Sequence, residues 1–329
     1  MNGGIGLIGR IPRTACLQIP GRHVWCCSPI LTDDGRCHIL FSTWPESAGF
    51  EAWATHSEVW HAEGSTPSGP FTVSGPALTG AGGGRWDGRV VHNPTIARWG
   101  DRFVMLYTGT TGDAVPGPDL KPGDIANQLW WQYRNNQRIG VAVAVHPRGP
   151  WMRSERPLID VEPEGWVHLI TTNPAFAPGP DGRWRMIFKT VEEARPRPGG
   201  GRVLHAIATA DSPLGPFVRE PEPVFTADGV RFPVEDPCLW FEGGAWHAIV
   251  SDHTGTFSRA GQSWARFISE DGVRWRPATV PLVARMLLPW ADGTDQRVNR
   301  FERPQVVLVT GRPAWIAGAA KVGERSFAV

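Results

Sequence analysis

One pattern returns five times along the 329 residues: a polar residue, a proline, a short apolar run, a tight turn, then a second apolar run ending in polar residues. The copies are CSPILTDDGRCHILFSTW (27–44), HNPTIARWGDRFVMLYTGT (92–110), TNPAFAPGPDGRWRMIFKT (172–190), EDPCLWFEGGAWHAIVSDH (235–253) and ERPQVVLVTGRPAWIAGAA (302–320). Their prolines, Pro29, Pro94, Pro174, Pro237 and Pro304, lie 65, 80, 63 and 67 residues apart. A self-similar period of this length means one supersecondary unit per repeat, with each unit burying its apolar face against its neighbours.

The rest of each unit is legible too. Segments 138–145, 202–210 and 264–270 alternate or are rich in β-branched residues, as third strands do. A fourth element follows at 68–73 (SGPFTV), 148–153 (RGPWMR), 214–219 (LGPFVR) and 272–277 (GVRWRP). In the first three, Gly-Pro sets a turn and the next aromatic ring drops between neighbouring sheets. Thirty-nine glycines and 31 prolines, scattered without period, exclude a helix bundle and agree with many turns. The expected fold is all-β: a five-bladed β-propeller of four-stranded antiparallel blades at about 23–78, 90–159, 170–225, 234–283 and 300–329. The last blade runs out of chain after three strands, so residues near 6–20 are expected to close the ring with its outer strand. No linker or composition shift divides the chain, which reads as one domain.

Charge and cysteines remove several functions. Thirty-three Lys+Arg against 32 Asp+Glu give a formal +1, too balanced for polyelectrolyte-driven binding of nucleic acid or a polybasic grip on a membrane. Cys16, Cys26, Cys27, Cys37 and Cys238 are odd in number and form no C-x-x-C, which reads as free thiols in a reducing compartment. No signal peptide or apolar span is visible, so the expected location is cytoplasmic. The sequence leaves oligomeric state open.

Loop lengths separate the two faces of the disc. Turns between first and second strands are tight, whereas the connections at about 43–56, 109–137, 190–201 and 251–263 are long. Long loops carry function, so the functional face is where inner strands begin and second strands end. The positions before each proline are expected there, pointing into the funnel: Cys27-Ser28, His92-Asn93, Thr172-Asn173, Glu235-Asp236 and Glu302-Arg303. Second-strand ends add Trp44, Thr108, Lys189, Asp252 and His253. The scaffold repeats while the polar identities diverge, as for a central site built by five different contributions. Bland readings exist alongside. Ser28, Asn93 and Asn173 also fit turn openers; Glu302-Arg303 also fits an ion pair joining the last blade to the first. His92 also fits a satisfied core histidine, and Asp87 an Asp-Gly turn.

With E-D-P in blade four and a residue pair before each proline, the chain resembles the five-bladed propeller glycosidases and glycoside phosphorylases, glycoside hydrolase families 43, 117 and 130. FSTWPESAGFEAWATHSE, RWDGRVVHNPTI, NQRIGVAVA, TTNPAF, VEDPCLWF and RFERPQVVL resemble a bacterial group described as family-43-like glycosyl hydrolases. The resemblance implies a general-base Asp before the blade-one proline, where this chain has Cys27-Ser28-Pro29. It implies a second Asp in blade two, where His92-Asn93-Pro94 stands. Likeness to family 130 points to Asp236 as a catalytic carboxylate, and likeness to family 117 gives His92 or His253 an acid role.

Glycoside hydrolysis needs a proton donor at the leaving oxygen and a carboxylate that activates water or attacks the anomeric carbon. Asp236 and Glu302 are the expected pair, with Glu235 or Asp252 tuning the acid and His92 or His253 as a substitute donor. Asn93, Asn173, Lys189, Arg303, His253, Arg138 and Asp87 are expected to bind substrate, and Trp44, Trp130 and Trp131 to stack on sugar. The expectation is an exo-acting glycoside hydrolase with a carbohydrate substrate and no cofactor; no ligand spacing specifies a metal, although a funnel Ca²⁺ is compatible with oxygen ligands. The alternatives are a glycoside phosphorylase, favoured by the cations Arg138, Lys189, Arg303 and His253, and a non-catalytic carbohydrate-binding propeller.

Overall fold

The computed structural model describes residues 8–114, 127–162, 164–194 and 198–329. Blade one is β1 (Arg22–Leu31), β2 (Cys37–Pro45), β3 (Glu58–Gly64) and β4 (Phe71–Leu78), with the short helix α1 (Trp53–His56) between β2 and β3. Blade two is β5 (Val90–Trp99), β6 (Arg102–Thr110), β7 (Arg138–Ala144) and β8 (Met152–Arg153), with α2 (Gln128–Asn135) before β7. Blade three is β9 (Thr171–Pro178), β10 (Trp184–Val191), β11 (Val203–Ala210) and β12 (Val218–Arg219). Blade four is β13 (Val234–Glu242), β14 (Ala245–Asp252), β15 (Ser263–Ser269) and β16 (Arg276–Arg285). A small hairpin, β17 (Leu287–Pro289) and β18 (Asp295–Arg297), leads to blade five: β19 (Arg300–Val309), β20 (Arg312–Val322) and β21 (Arg325–Ala328). Every blade is an antiparallel meander in chain order. No helix among the described residues is long and apolar enough to cross a membrane.

The blades are held by what lies between them. Blades one and two share a cluster around Leu40, Val91, Met105 and Trp151; blades two and three share one around Leu106, Val141, Phe176 and Met186. Ile187, Leu239, Trp246 and Ala248 join three to four, and Trp240, Trp264, Phe301 and Phe327 join four to five. Leu17, Val24, Phe41 and Ala328 join five to one. The rings after Gly-Pro (Phe71, Trp151 and Phe217) sit in these clusters as expected. Each large apolar side chain so buried contributes about 1.5–3 kcal/mol.

Ring closure differs from the expectation. Among the described residues blade five has three strands, and the N-terminal segment joins it without forming a full fourth strand. It adds one isolated bridge, Leu17 to Ala328, with hydrogen bonds in both directions, and Ile11 bridges Trp290 beside the small hairpin. Residues 6–7 of the expected closing strand lie outside the described residues, as do 124–126 of the expected helix 124–135; the helix observed is Gln128–Asn135.

Every inner strand carries the same bulge. Pairing skips between Trp25 and Ser28, His92 and Thr95, Glu235 and Cys238, and Glu302 and Gln305, and blade three skips across Asn173-Pro174. Each bulge holds one non-glycine residue at left-handed φ: Cys26 (52°), Asn93 (51°), Asn173 (50°), Asp236 (56°) and Arg303 (59°). Asn and Asp tolerate that region, whereas Cys and Arg bear a cost of about 1–2 kcal/mol. This geometry corrects the alignment of blade one. Cys26 is the partner of Asn93, Cys27 takes the place of the proline, and Ser28 corresponds to Thr95. Ser28 therefore does not face the funnel; its Oγ accepts the Ile96 N–H of the next blade at 3.0 Å.

Candidate active site

The five bulge residues link into a belt around the propeller axis. Cys26 Sγ donates to Asn93 Oδ1 (2.9 Å), Asn93 Nδ2 to Asn173 Oδ1 (2.6 Å), and Asn173 Nδ2 to Asp236 Oδ1 (2.5 Å). Arg303 Nη1 donates to the same Asp236 oxygen at 2.9 Å. Every donor thus points along the chain toward one carboxylate, an arrangement in which each hydrogen bond polarises the next. Burial pushes the Asp236 carboxyl up, Arg303 pulls it down, and neighbouring Glu235 pushes it up again, leaving it raised. Asp236 and Arg303 side chains are only 4% and 2% exposed. Arg303 does form an ion pair, but it ties blade five to Asp236 of blade four and does not join the last blade to the first.

The residues immediately before the bulges, Trp25, His92, Glu235 and Glu302, border a cavity of about 230 Å³ together with the belt. Glu235 is 17% exposed. Lys189, at the end of β10, binds its Oε1, and His253 Nε2 lies 3.3 Å from Oε2. Burial raises the Glu235 carboxyl, but Lys189 and His253 outweigh it and hold it well below the usual range. Burial alone would lower the His253 imidazole; Glu235 reverses this and raises it. Glu302 behaves oppositely. Burial, then Asp236 and Glu235, push its carboxyl up to about 7, against the weaker pull of Arg300 at 3.9 Å. Two carboxyls in one cavity are thus divided, one ionised and one holding its proton near neutrality.

The long loops complete the walls. The blade-one loop brings Phe50, Glu51 and Trp53, and the blade-two loop brings Arg134 and Gln137. The two loops pack together: Trp130 stands edge-on to Trp53 at 5.7 Å and donates Nε1 to the Glu51 carbonyl. Asn127 caps α2 by accepting the Trp130 N–H. His92 is buried and neutral, its imidazole pushed down to about 3 by burial. Its Nε2, the Ser57 Oγ and the Arg303 Nε, all on cavity-lining residues, find no hydrogen-bond partner among the described residues. Buried polar atoms of this kind leave hydrogen-bonding capacity that water or a ligand can satisfy.

Five expected site residues lie elsewhere, Trp131 among them, packed edge-on against Trp130 at 4.9 Å. Asp252 is buried, and its carboxylate accepts the backbone N–H groups of Thr256, Phe257 and Ser258, so it clamps the following loop instead of tuning an acid. Replacing it by alanine is expected to cost about 2 kcal/mol in denaturant unfolding while changing turnover less than tenfold. Asp87 is buried under Tyr107, Arg85 and Arg153. Arg138 is spent on Asp160 and on the Asn135 and Gln137 carbonyls. Trp130 is a loop-packing residue, as above. Trp44 borders the cavity but is buried against His23 and Phe50. Missed by sequence reasoning were Trp53, Ser57, Arg134, Glu51 and Arg300; their signal was position on the long-loop face, with no motif to pick them out.

Other features carry less chemistry. His38, His61 and Glu63, buried on β2 and β3 of blade one, bring ligand atoms within 4.8 Å of one another. Arg36 and Arg148 already hold the Glu63 carboxylate, and two guanidiniums there oppose a cation. A larger cleft of about 410 Å³ is lined by Phe71, Trp240, Trp264 and Trp315, with Glu242 as its one carboxylate among the described residues.

Compared by sequence, the chain matches no family model and no curated protein. Compared by structure, it is similar to a family 117 glycoside hydrolase from the marine bacterium Zobellia galactanivorans, with TM-score 0.61 and 19% identity over 98% of this chain and 87% of that one. It is also similar to a thermostable family-43 glycoside hydrolase (TM-score 0.60, 14% identity, 95% and 91% covered). A third is a family-43 β-xylosidase/α-arabinofuranosidase from a compost microbial metagenome, in complex with xylotriose (TM-score 0.60, 12% identity, 95% and 91% covered). The fold is the one these hydrolases share. At such identities the likeness speaks for the fold, and the chemistry has to be argued from this chain's own side chains.

Proposed function

We propose that the protein is a glycoside hydrolase whose cavity cleaves a terminal sugar with Glu302 as proton donor and Glu235 as the ionised carboxylate. The observation that carries this is the division of the two buried carboxyls. Glu302 holds a proton to about pH 7, and Glu235 is kept ionised by Lys189 and His253. Glu302 transfers its proton to the glycosidic oxygen as the bond to the anomeric carbon breaks. Water adds to that carbon and gives up its own proton to Glu235. Asp236 was the expected second catalytic carboxyl. Its carboxyl is raised and its side chain only 4% exposed, whereas Glu235 is held ionised and is 17% exposed, so Glu235 takes that role. Asp236 instead fixes Arg303 and raises Glu302. The small cavity supports exo-action: about 230 Å³ is below the roughly 300–1,000 Å³ of ordinary ligand clefts, room for one ring and not a chain. Trp53, half-buried beside His92 at 5.5 Å between ring centroids, offers that ring a face.

The pH profile of aryl-glycoside hydrolysis tests the assignment. The donor must be protonated, so kcat/KM is expected to fall about tenfold per pH unit above about 7. The carboxylate must be ionised, so the acid limb is expected below the ordinary glutamate value of about 4.3. A rate that keeps rising through pH 8 would remove Glu302 as the acid.

A further inference from the structure

Four cations, Arg134, Lys189, Arg300 and Arg303, and four carboxyls, Glu51, Glu235, Asp236 and Glu302, border the cavity. Three cations are matched: Lys189 with Glu235, Arg303 with Asp236 at 2.9 Å, and Arg300 with Glu51 at 2.9 Å. Arg134 is not. Among the described residues no carboxylate lies within ion-pair distance of it. Its Nη1 donates to the neutral Asn135 side chain at 2.9 Å, and its guanidinium lies 5.7 Å from the Trp131 ring. The acid whose field it feels is Glu235, already bound by Lys189 and His253. Burial accordingly depresses Arg134, to about 10, where it still carries its full charge at neutral pH. The fourth carboxyl, Glu302, keeps its proton near neutrality. Arg134 is thus the one guanidinium on the cavity wall that no carboxylate among the described residues pairs with.

An uncompensated charge on a half-buried wall is costly unless something arrives to neutralise it. Arginine's planar fork suits an oxyanion with two coplanar acceptors. We propose that the cavity recognises an oxyanion through Arg134, so that the substrate is an acidic sugar whose carboxylate seats on this guanidinium beside Lys189. The same chemistry would accept inorganic phosphate as a co-substrate. The inference rests on the hydrolase reading for turnover but not for binding, and the two are separable.

The test is calorimetric binding of glucuronate, galacturonate, glucose, galactose and inorganic phosphate to wild type, Arg134→Gln and Arg134→Lys, with melting temperatures confirming that each variant is folded. Wild type is expected to bind one uronate at least about tenfold more tightly than its neutral parent, a difference a charge-assisted pair supplies. Arg134→Gln should erase that preference, and Arg134→Lys, which keeps the charge but loses the planar fork, should keep only part of it. Arg134-dependent phosphate binding, with cleavage of aryl glycosides only when phosphate is present, would assign the oxyanion to a co-substrate. Equal affinity for acid and neutral sugar, an undiminished preference in Arg134→Gln, or no binding of any probe overturns the proposal. A preference that persists without cleavage of aryl uronides, with or without phosphate, defeats the hydrolase reading alone.

Discussion

Glu302→Gln is expected to lower kcat on an aryl glycoside with a poor leaving group by about 10³–10⁴-fold, while hydrolysis of a dinitrophenyl glycoside falls far less. The difference follows from what the carboxyl does. A phenol or alkyl alcohol leaves only if its oxygen is protonated as the bond breaks, whereas dinitrophenolate is stable as an anion. Glutamine keeps the size and polarity of the side chain, so the cavity floor is preserved and the proton alone is lost. The structure also explains why this glutamate carries the proton. It stands before the blade-five bulge, 6% exposed, facing Asp236 and Glu235, with Arg300 only at 3.9 Å. Equal losses on both substrates would mean that Glu302 positions the sugar and another group gives the proton.

The second large effect concerns the belt. Arg303→Met or Asp236→Asn alone is expected to cost about 3–5 kcal/mol in denaturant unfolding, because each leaves its partner charged, buried and unpaired. The double variant is expected to recover more than half of that, since removing both charges removes the desolvation penalty as well. Losses that add in the double variant would mean the two side chains act separately and the pair is not a unit. The same pair explains how an arginine comes to occupy left-handed backbone at φ 59°. Its guanidinium is tied to Asp236, so the ion pair offsets the local strain.

How far the sequence foretold this differs from element to element. The blades were legible because tight turns, alternating runs and Gly-Pro-aromatic corners recur and mean the same thing each time. The face that carries the candidate cavity was legible because its loops are the long ones. Blade one was misaligned by two residues because Cys26-Cys27 replaces the usual residue-proline pair, while Ser28-Pro29 just beyond imitates it. Side-chain direction caused the other errors. Asp252 ends a second strand just as Lys189 does, yet one turns to three backbone N–H groups and the other to Glu235. No spacing distinguishes those outcomes. Arg134 was invisible for a different reason: its place on the wall depends on α2 docking through Trp130 onto Trp53, a contact between two loops with no periodic signal.

The most direct test of the central claim is a panel of aryl pentosides, hexosides, deoxyhexosides and uronides, assayed with wild type, Glu302→Gln and Glu235→Gln, with and without phosphate. Release of aryl alcohol by wild type without phosphate, lost at least about a hundredfold in both variants on substrates with poor leaving groups, is the predicted result. Release that persists undiminished in both variants, or a wild type inert across the panel while sugars still raise its melting temperature, would contradict the account and leave a carbohydrate-binding propeller.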